Sequence, residues 1–162
     1  IEVTNANDSG AGSLRQAILS AAPGSTIRFS STLANQTINL TSGQFNLDKN
    51  LIIDGAGVGN LTISGNNASR IFNVQNGVNF TLRNLSLANG RLAADPNNRA
   101  TSAGAAILTG FQSVLNVENT QFRNNFAGFG GAVFTGYRSN STFVNSVFDN
   151  NEGTAARSER GG

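Results

Sequence analysis

The chain has 162 residues, of which 19 are Gly and 24 Asn; it carries one Lys, no Cys, His or Met, and only 12% charged residues. That length supports one domain, and the missing Cys, His and Met exclude a disulfide framework and the commonest soft and borderline metal sites. The formal net charge of +2 comes from scattered Arg rather than a patch, which argues against nucleic acid, and no apolar run approaches the ~18 residues that a membrane-spanning helix needs.

Residues 1–30 differ from the remainder of the chain and read as a cap. The chain starts at a strand-like IEVTN without a signal-peptide pattern, as a mature form or a cut piece would. After NANDSGAG comes a capping box, with Ser13 as N-cap and Gln16 at the third helical position. Leu14, Ala17, Ile18 and Ala21 then share one helical face, and Pro23-Gly24 ends the helix. The strand TIRF (26–29) comes next. A short amphipathic helix here is expected to cover the N-terminal end of a solenoid, whose terminal coil would otherwise expose core and strand edges together.

From Gln36 onward, residues 31–162 read as coils of short strands. TINL (37–40), LII (51–53) and LTI (61–63) are expected to form the first coil, and RIFNV, FTL and LSL the second. Gly55, Gly57, Gly59 and Gly65 fall at corners. A polar segment at 91–102, holding the second Pro, departs from the pattern as an inserted loop; loops on a rigid scaffold are the default place for binding.

The repeat itself is clearest in VENTQFRNN (117–125), which returns 26 residues later as FVNSVFDNN (143–151). Asn119/Asn145, Phe122/Phe148, Asn124/Asn150 and Asn125/Asn151 coincide, and LRNLSLANG (82–90) lies 35 residues upstream, the longer interval holding the insertion. GAAILTG and GGAVFTG recur at the same 26-residue offset, and AVF, TFV and SVF make the third coil. A period of this size with strand-like runs means stacked coils. Asp54, Asn84, Asn119 and Asn145 are then expected to line up at one corner, where Asn tolerates left-handed backbone and stacked amides hydrogen-bond in a ladder. The fold expected is all-β: a parallel β-helix with three strands per coil, right-handed as is usual, with a short N-terminal capping helix.

VTNANDSGAGSLRQAILSAAPGSTIRFS, followed by LDKNLIIDGAGVGNLTISGNNASRIFNV, resembles the opening of bacterial secreted β-helix proteins of the pectin-lyase-like superfamily. More narrowly it is similar to large cell-surface, adhesin-like proteins that begin with a capping SLRQAI segment. The resemblance implies an extracellular or cell-surface location in a bacterium, and a spacer or adhesive stalk within a longer polypeptide.

Solenoid enzymes that cut acidic polysaccharides gather carboxylates from adjacent coils, to hold Ca²⁺ or to act as acid and base. The nine acids here are Glu2, Asp8, Asp48, Asp54, Asp95, Glu118, Asp149, Glu152 and Glu159. In the repeat register Glu118 lies over Arg83 and Asp149 over Arg123, which makes acid–base pairs rather than a carboxylate row. Asp8 in NANDSG and Asp54 in LIIDGAG have oxygen-rich surroundings but match neither an EF-hand nor an RTX repeat. No catalytic residue, cofactor or metal ligand is therefore expected. Phe72, Phe80, Phe122, Phe134, Phe143 and Phe148 read as core, whereas Phe111, Phe126, Phe129 and Tyr137 fall in corners or loops, where rings can stack on sugars.

At the C-terminal end the repeat would begin another strand at Gly161-Gly162. The chain thus reads as a fragment of a longer protein or as a subunit whose open end a neighbour covers. Val144, Val147, Phe148, Gly161 and Gly162 are the candidate assembly edge. The leading functional expectation is a non-enzymatic structural or adhesive module of a bacterial extracellular or cell-surface protein. Alternatives are a polysaccharide-binding or polysaccharide-cleaving β-helix protein, and a filament subunit joining end to end. The partners expected are a cell-surface or polysaccharide ligand, or further copies of the chain.

Overall fold

Short alternating strands can bury their apolar face only by stacking, and the described strands do this coil upon coil. The computed structural model describes residues 1–95 and 97–154. Glu159, Gly161 and Gly162 lie outside the described residues. In chain order the elements are β1 (Glu2–Val3), α1 (Leu14–Ser20), β2 (Ser25–Phe29), β3 (Thr37–Asn39), β4 (Phe45–Leu47), β5 (Leu51–Asp54), β6 (Thr62–Ser64), β7 (Phe72–Val74), β8 (Asn79–Arg83) and β9 (Ser86–Ala88). Then come α2 (Arg99–Ser102), β10 (Ile107–Thr109), β11 (Val114–Glu118), β12 (Gln121–Arg123), β13 (Phe126–Ala127), β14 (Val133–Phe134), β15 (Asn140–Val144), β16 (Val147–Asp149) and β17 (Glu152–Gly153).

Three parallel sheets run the length of the molecule. The first is β1-β2-β5-β8-β11-β15, the second β3-β6-β9-β12-β16 and the third β4-β7-β10-β14; β13 and β17 form a small fourth. Each coil visits the first, second and third sheets in turn, so the fold is a parallel β-helix with three strands per coil. Six strands in the first sheet, spaced about 4.8 Å apart, make a rod roughly 24 Å long.

Inward side chains form columns between the sheets. Ile27, Ile53, Leu82, Val117 and Phe143 succeed one another in the first sheet. Ile38, Ile63, Leu87, Phe122 and Phe148 do so in the second. Phe122 and Phe148 stack with ring centroids 4.6 Å apart and planes 5° from parallel. Each such side chain, once fully buried, stabilises by about 1.5–3 kcal/mol.

Two expectations about the strands need correction. Thr37–Asn39 and Thr62–Ser64 are not two sides of one coil; they pair with each other, residue Ile38 on Ile63, and so belong to successive coils. The third strand of that coil is Phe45–Leu47, too short an alternation to stand out. Phe134 is not core either. Its register partners are Leu108 and, through it, Asn73 and Asn46, an outward column; Val133 fills the inward place over Ile107.

The helix α1 is capped by Ser13, whose hydroxyl accepts from the Gln16 amide at 3.2 Å; the other half of the expected capping box is not made, because Ser13 N–H donates to the Gly10 carbonyl at 3.2 Å instead. It takes the place of a third-sheet strand, ahead of β4, and buries Leu14, Ala17 and Ile18. Backbone groups left open beside β4 meet side chains instead of a strand. The Arg15 guanidinium donates to the Gly43 and Gln44 carbonyls at 2.7 and 3.2 Å and to Asp8 at 2.7 Å. Asp8 in turn accepts from the Ser42 amide at 2.8 Å, and from the Ser42 and Thr41 hydroxyls. Burial works against the charged Asp8 carboxylate, but the hydrogen bonds from Ser42 and Arg15 outweigh it and hold its pKa below the usual value. Asp8 is thus a staple of the cap.

Candidate binding face

The corner after the first sheet turns on asparagine. Asn84, Asn119 and Asn145 have φ of 57°, 47° and 48°, the left-handed turn that Asn accepts more readily than most residues. The Asn119 amide donates to Asn84 Oδ1 at 3.2 Å, and Asn84 donates to Asp54 Oδ1 at 2.8 Å. Asp54 stands one residue out of step: its strand partner is Arg83, and Gly55 holds the backbone place equivalent to Asn84. Its carboxylate reaches the ladder from the side. Asn145 joins through the backbone of its own coil, the Val144 carbonyl accepting from Asn119 N–H at 3.0 Å.

The corner after the second sheet repeats the device. Asn89, Asn124 and Asn150 have φ of 54°, 54° and 51°, and Asn150 donates to Asn124 at 2.7 Å. Beside them Asn125 is fully buried. Its Oδ1 accepts from Gly90 N–H at 2.9 Å, and its Nδ2 donates to the Leu87 carbonyl at 3.2 Å and to Asn151 Oδ1 at 2.9 Å. The repeat marks Asn125 and Asn151 as equivalent; their inward direction is not readable from the spacing.

Charge alternates along the outside of the first sheet. Glu2, Arg28, Asp54, Arg83 and Glu118 are consecutive register partners, each facing the opposite sign. Arg28–Asp54 closes to 3.8 Å and Arg83–Glu118 to 3.4 Å. Arg83–Glu118 is exposed on both sides and contributes about 0–1 kcal/mol; in Arg28–Asp54 the Arg is exposed and the Asp buried. Arg123 and Asp149 are partners in the second sheet. Among the described residues no three acidic side chains gather as a metal-holding group.

The third sheet is flanked differently. On the side reached from the second sheet lies the 91–102 insertion, tied down by Arg70. That side chain sits in a residue only 4% exposed and donates to the carbonyls of Ala100, Ala103 and Gly104 at 2.8, 3.0 and 3.1 Å, and to Gln44 Oε1 at 2.8 Å. Burial pushes its pKa down to about 10, which leaves it charged near neutral pH. Carbonyl oxygens, not a carboxylate, surround the cation. Inside the loop the Ser102 hydroxyl donates to the Asp95 and Asn98 carbonyls at 2.8 and 2.7 Å. Arg91 lies over the Phe126 ring at 4.5 Å, and Arg99 over Phe129 at 5.2 Å and Phe134 at 6.0 Å. The Arg–aromatic contacts and Arg70 hold the insertion as one body.

On the opposite side, leading to the first sheet, Phe111 and Tyr137 occupy equivalent corners of successive coils. Their rings stack at 6.0 Å with planes 21° apart, Arg138 lies 5.4 Å from the Tyr137 ring, and Tyr137 is 74% exposed. Asn76 holds this place one coil earlier, its Oδ1 accepting from Phe111 N–H at 2.8 Å. Between the two flanks runs the outward column Asn46, Asn73, Leu108 and Phe134. Next to its first members a groove of about 610 Å³ separates α1 from the sheet, lined by Ile18, Leu19, Asn46, Asp48, Lys49 and Gln75. The third-sheet side therefore combines a fixed loop, exposed rings and amides. Comparison of the chain with protein-family models gives no match, and comparison with curated proteins gives none either.

Proposed function

We propose that the protein is a non-enzymatic structural and adhesive module of a bacterial extracellular or cell-surface protein, a rigid rod whose third-sheet side makes the contacts. The observation that carries this reading is the alternating column Glu2–Arg28–Asp54–Arg83–Glu118. A polysaccharide-cleaving solenoid needs carboxylates side by side on adjacent coils; at each of these steps the neighbour has the opposite charge. The corner side chains of Asn84, Asn119, Asn124, Asn125 and Asn150 hydrogen-bond to one another, to Asp54 or to backbone, so they hold the coils together. The similarity of residues 3–30 and 47–74 to adhesin-like β-helix proteins supports the extracellular placement.

Phe111 and Tyr137 supply the contact chemistry, since exposed rings stack on the C–H faces of sugars. Immobilised bacterial and host surface polysaccharides should retain the protein, and Phe111→Ala with Tyr137→Ala should reduce retention about tenfold with the fold intact. Retention unchanged in the double variant would overturn this assignment of the face.

A further inference from the structure

Strand β4 is an edge of the third sheet, and α1 stands beside it without pairing. The Phe45 N–H donates to the Ile71 carbonyl at 2.8 Å, and the Leu47 carbonyl accepts from Gln75 N–H at 2.9 Å, both toward β7. The N–H and C=O of Asn46 between them therefore face α1. Two straps hold the helix off this edge. At one end Arg15 reaches the Gly43 and Gln44 carbonyls at 2.7 and 3.2 Å; at the other Lys49 Nζ donates to the Leu19 and Ala21 carbonyls, both at 3.2 Å. Between the straps lies the groove of about 610 Å³, continued toward Arg15 by a hollow of about 150 Å³.

The polar groups that line the groove are uncommitted on its side. Asn46 Oδ1 accepts from Gln44 Nε2 at 3.0 Å and from Asn73 Nδ2 at 3.2 Å, which fixes the amide and leaves its own Nδ2 hydrogens unspent among the described residues. The Gln75 side-chain amide has no hydrogen-bond partner among the described residues either. The Asp48 carboxylate, 75% exposed, meets Lys49 at 4.0 Å. Ile18 and Leu19 form the apolar wall, Leu19 being 68% exposed. Donors, acceptors and an aliphatic wall thus share a space of the size that holds a small ligand.

We infer that this groove binds one terminal or branch sugar of a neutral glycan, read through its vicinal hydroxyls; the inference rests on the reading of the third-sheet side as the contact face. A hydroxyl both donates and accepts, so it needs donors and acceptors side by side, as Asn46, Gln75 and Asp48 supply them, and the C–H face of a sugar suits Leu19. An added peptide strand fits less well, because strand pairing needs a row of free backbone groups and within β4 only Asn46 offers its own. The straps also close the groove at both ends, so its occupant is short and enters from outside. Arg15 is taken up by Asp8 and Lys49 by two carbonyls, which leaves Asp48 as the exposed charge and disfavours a uronate. Asn76, next to the groove residue Gln75, accepts from Phe111 N–H, so the groove and the two rings lie on one flank. Tyr137 is two coil steps away, roughly 10 Å along the rod, and one glycan can reach both.

The test titrates isotope-labelled protein with maltose, cellobiose, lactose and mannobiose, with digalacturonate and trialanine as controls, while NMR follows the side-chain amides of Asn46 and Gln75. The expected result is a saturable shift of both amides with at least one neutral disaccharide and with neither control. Leu19→Ala and Gln75→Ala, both at exposed positions, should each weaken that binding at least about fivefold with unchanged circular dichroism. Phe111→Ala with Tyr137→Ala should leave the disaccharide shifts as they are. No saturable shift with any of the four sugars overturns the inference, as does saturation by trialanine or digalacturonate, or an affinity indifferent to both groove variants. Polysaccharide retention that depends on Phe111 and Tyr137 without a shift at the groove overturns this inference alone; groove shifts without such retention overturn the assignment of the rings alone.

Discussion

Replacing Asn125 with Leu isolates the hydrogen-bonding role of a buried amide, because the two side chains have similar shape and the position is free of left-handed backbone strain. The substitution removes the acceptor of Gly90 N–H and the donor to the Leu87 carbonyl, and it leaves Asn151 Oδ1 without its side-chain partner. Each buried group left unsatisfied costs about 1–3 kcal/mol, and Leu recovers part of that by apolar burial. The net loss should be about 2–4 kcal/mol. Urea denaturation followed by circular dichroism measures it as a lower midpoint at unchanged slope. Asn119→Leu is the comparison: its exposed amide donates only to Asn84, and its φ of 47° adds the strain of a left-handed Leu. That variant should lose about 1–2 kcal/mol. Equal stability of Asn125→Leu and the wild type, or a larger loss at Asn119, would refute the view that the inner amides hold successive coils in register.

Arg70→Met removes the donors that clamp the insertion, so proteolysis within 92–101 should accelerate and stability fall by about 2–4 kcal/mol, read by limited digestion and denaturation. Because the folded pKa of Asp8 is lowered, its contribution is complete above the unfolded carboxylate value of about 3.9 and is lost as pH falls through the folded value. Hydrogen exchange in residues 1–25 should therefore rise on acidification below that range, and Asp8→Asn should remove the pH-dependent part. Tyr137→Ala alone should leave the melting temperature within experimental error, since the ring is mostly exposed, yet lower retention on a surface glycan.

The parts of the fold legible in the sequence are those the chain writes twice. β14 to β16 and β10 to β12 share their residues at one offset, so their strands and corner asparagines can be matched by eye. β4 has no such copy, and its three residues carry one alternation, too little to separate a strand from a turn. Residue type aligns Asp54 with Asn84, whereas the backbone pairs it with Arg83; a one-residue slip in a strand exchanges its faces. The same slip assigns Phe134 to the core, the larger ring standing out over Val133. Arg70 leaves no signal, because most of its partners are backbone carbonyls some 30 residues away, which carry no sequence code, and the one side-chain partner is the uncharged Gln44.

Prolonged incubation with acidic polysaccharides, counting new reducing ends, tests the central claim most directly. A structural and adhesive rod gives no increase over buffer, with or without Ca²⁺, on the same polymers that retain it. An increase linear in time and in protein, abolished by Asp54→Asn or Glu118→Gln, would contradict the account and make the alternating charge column part of an active site.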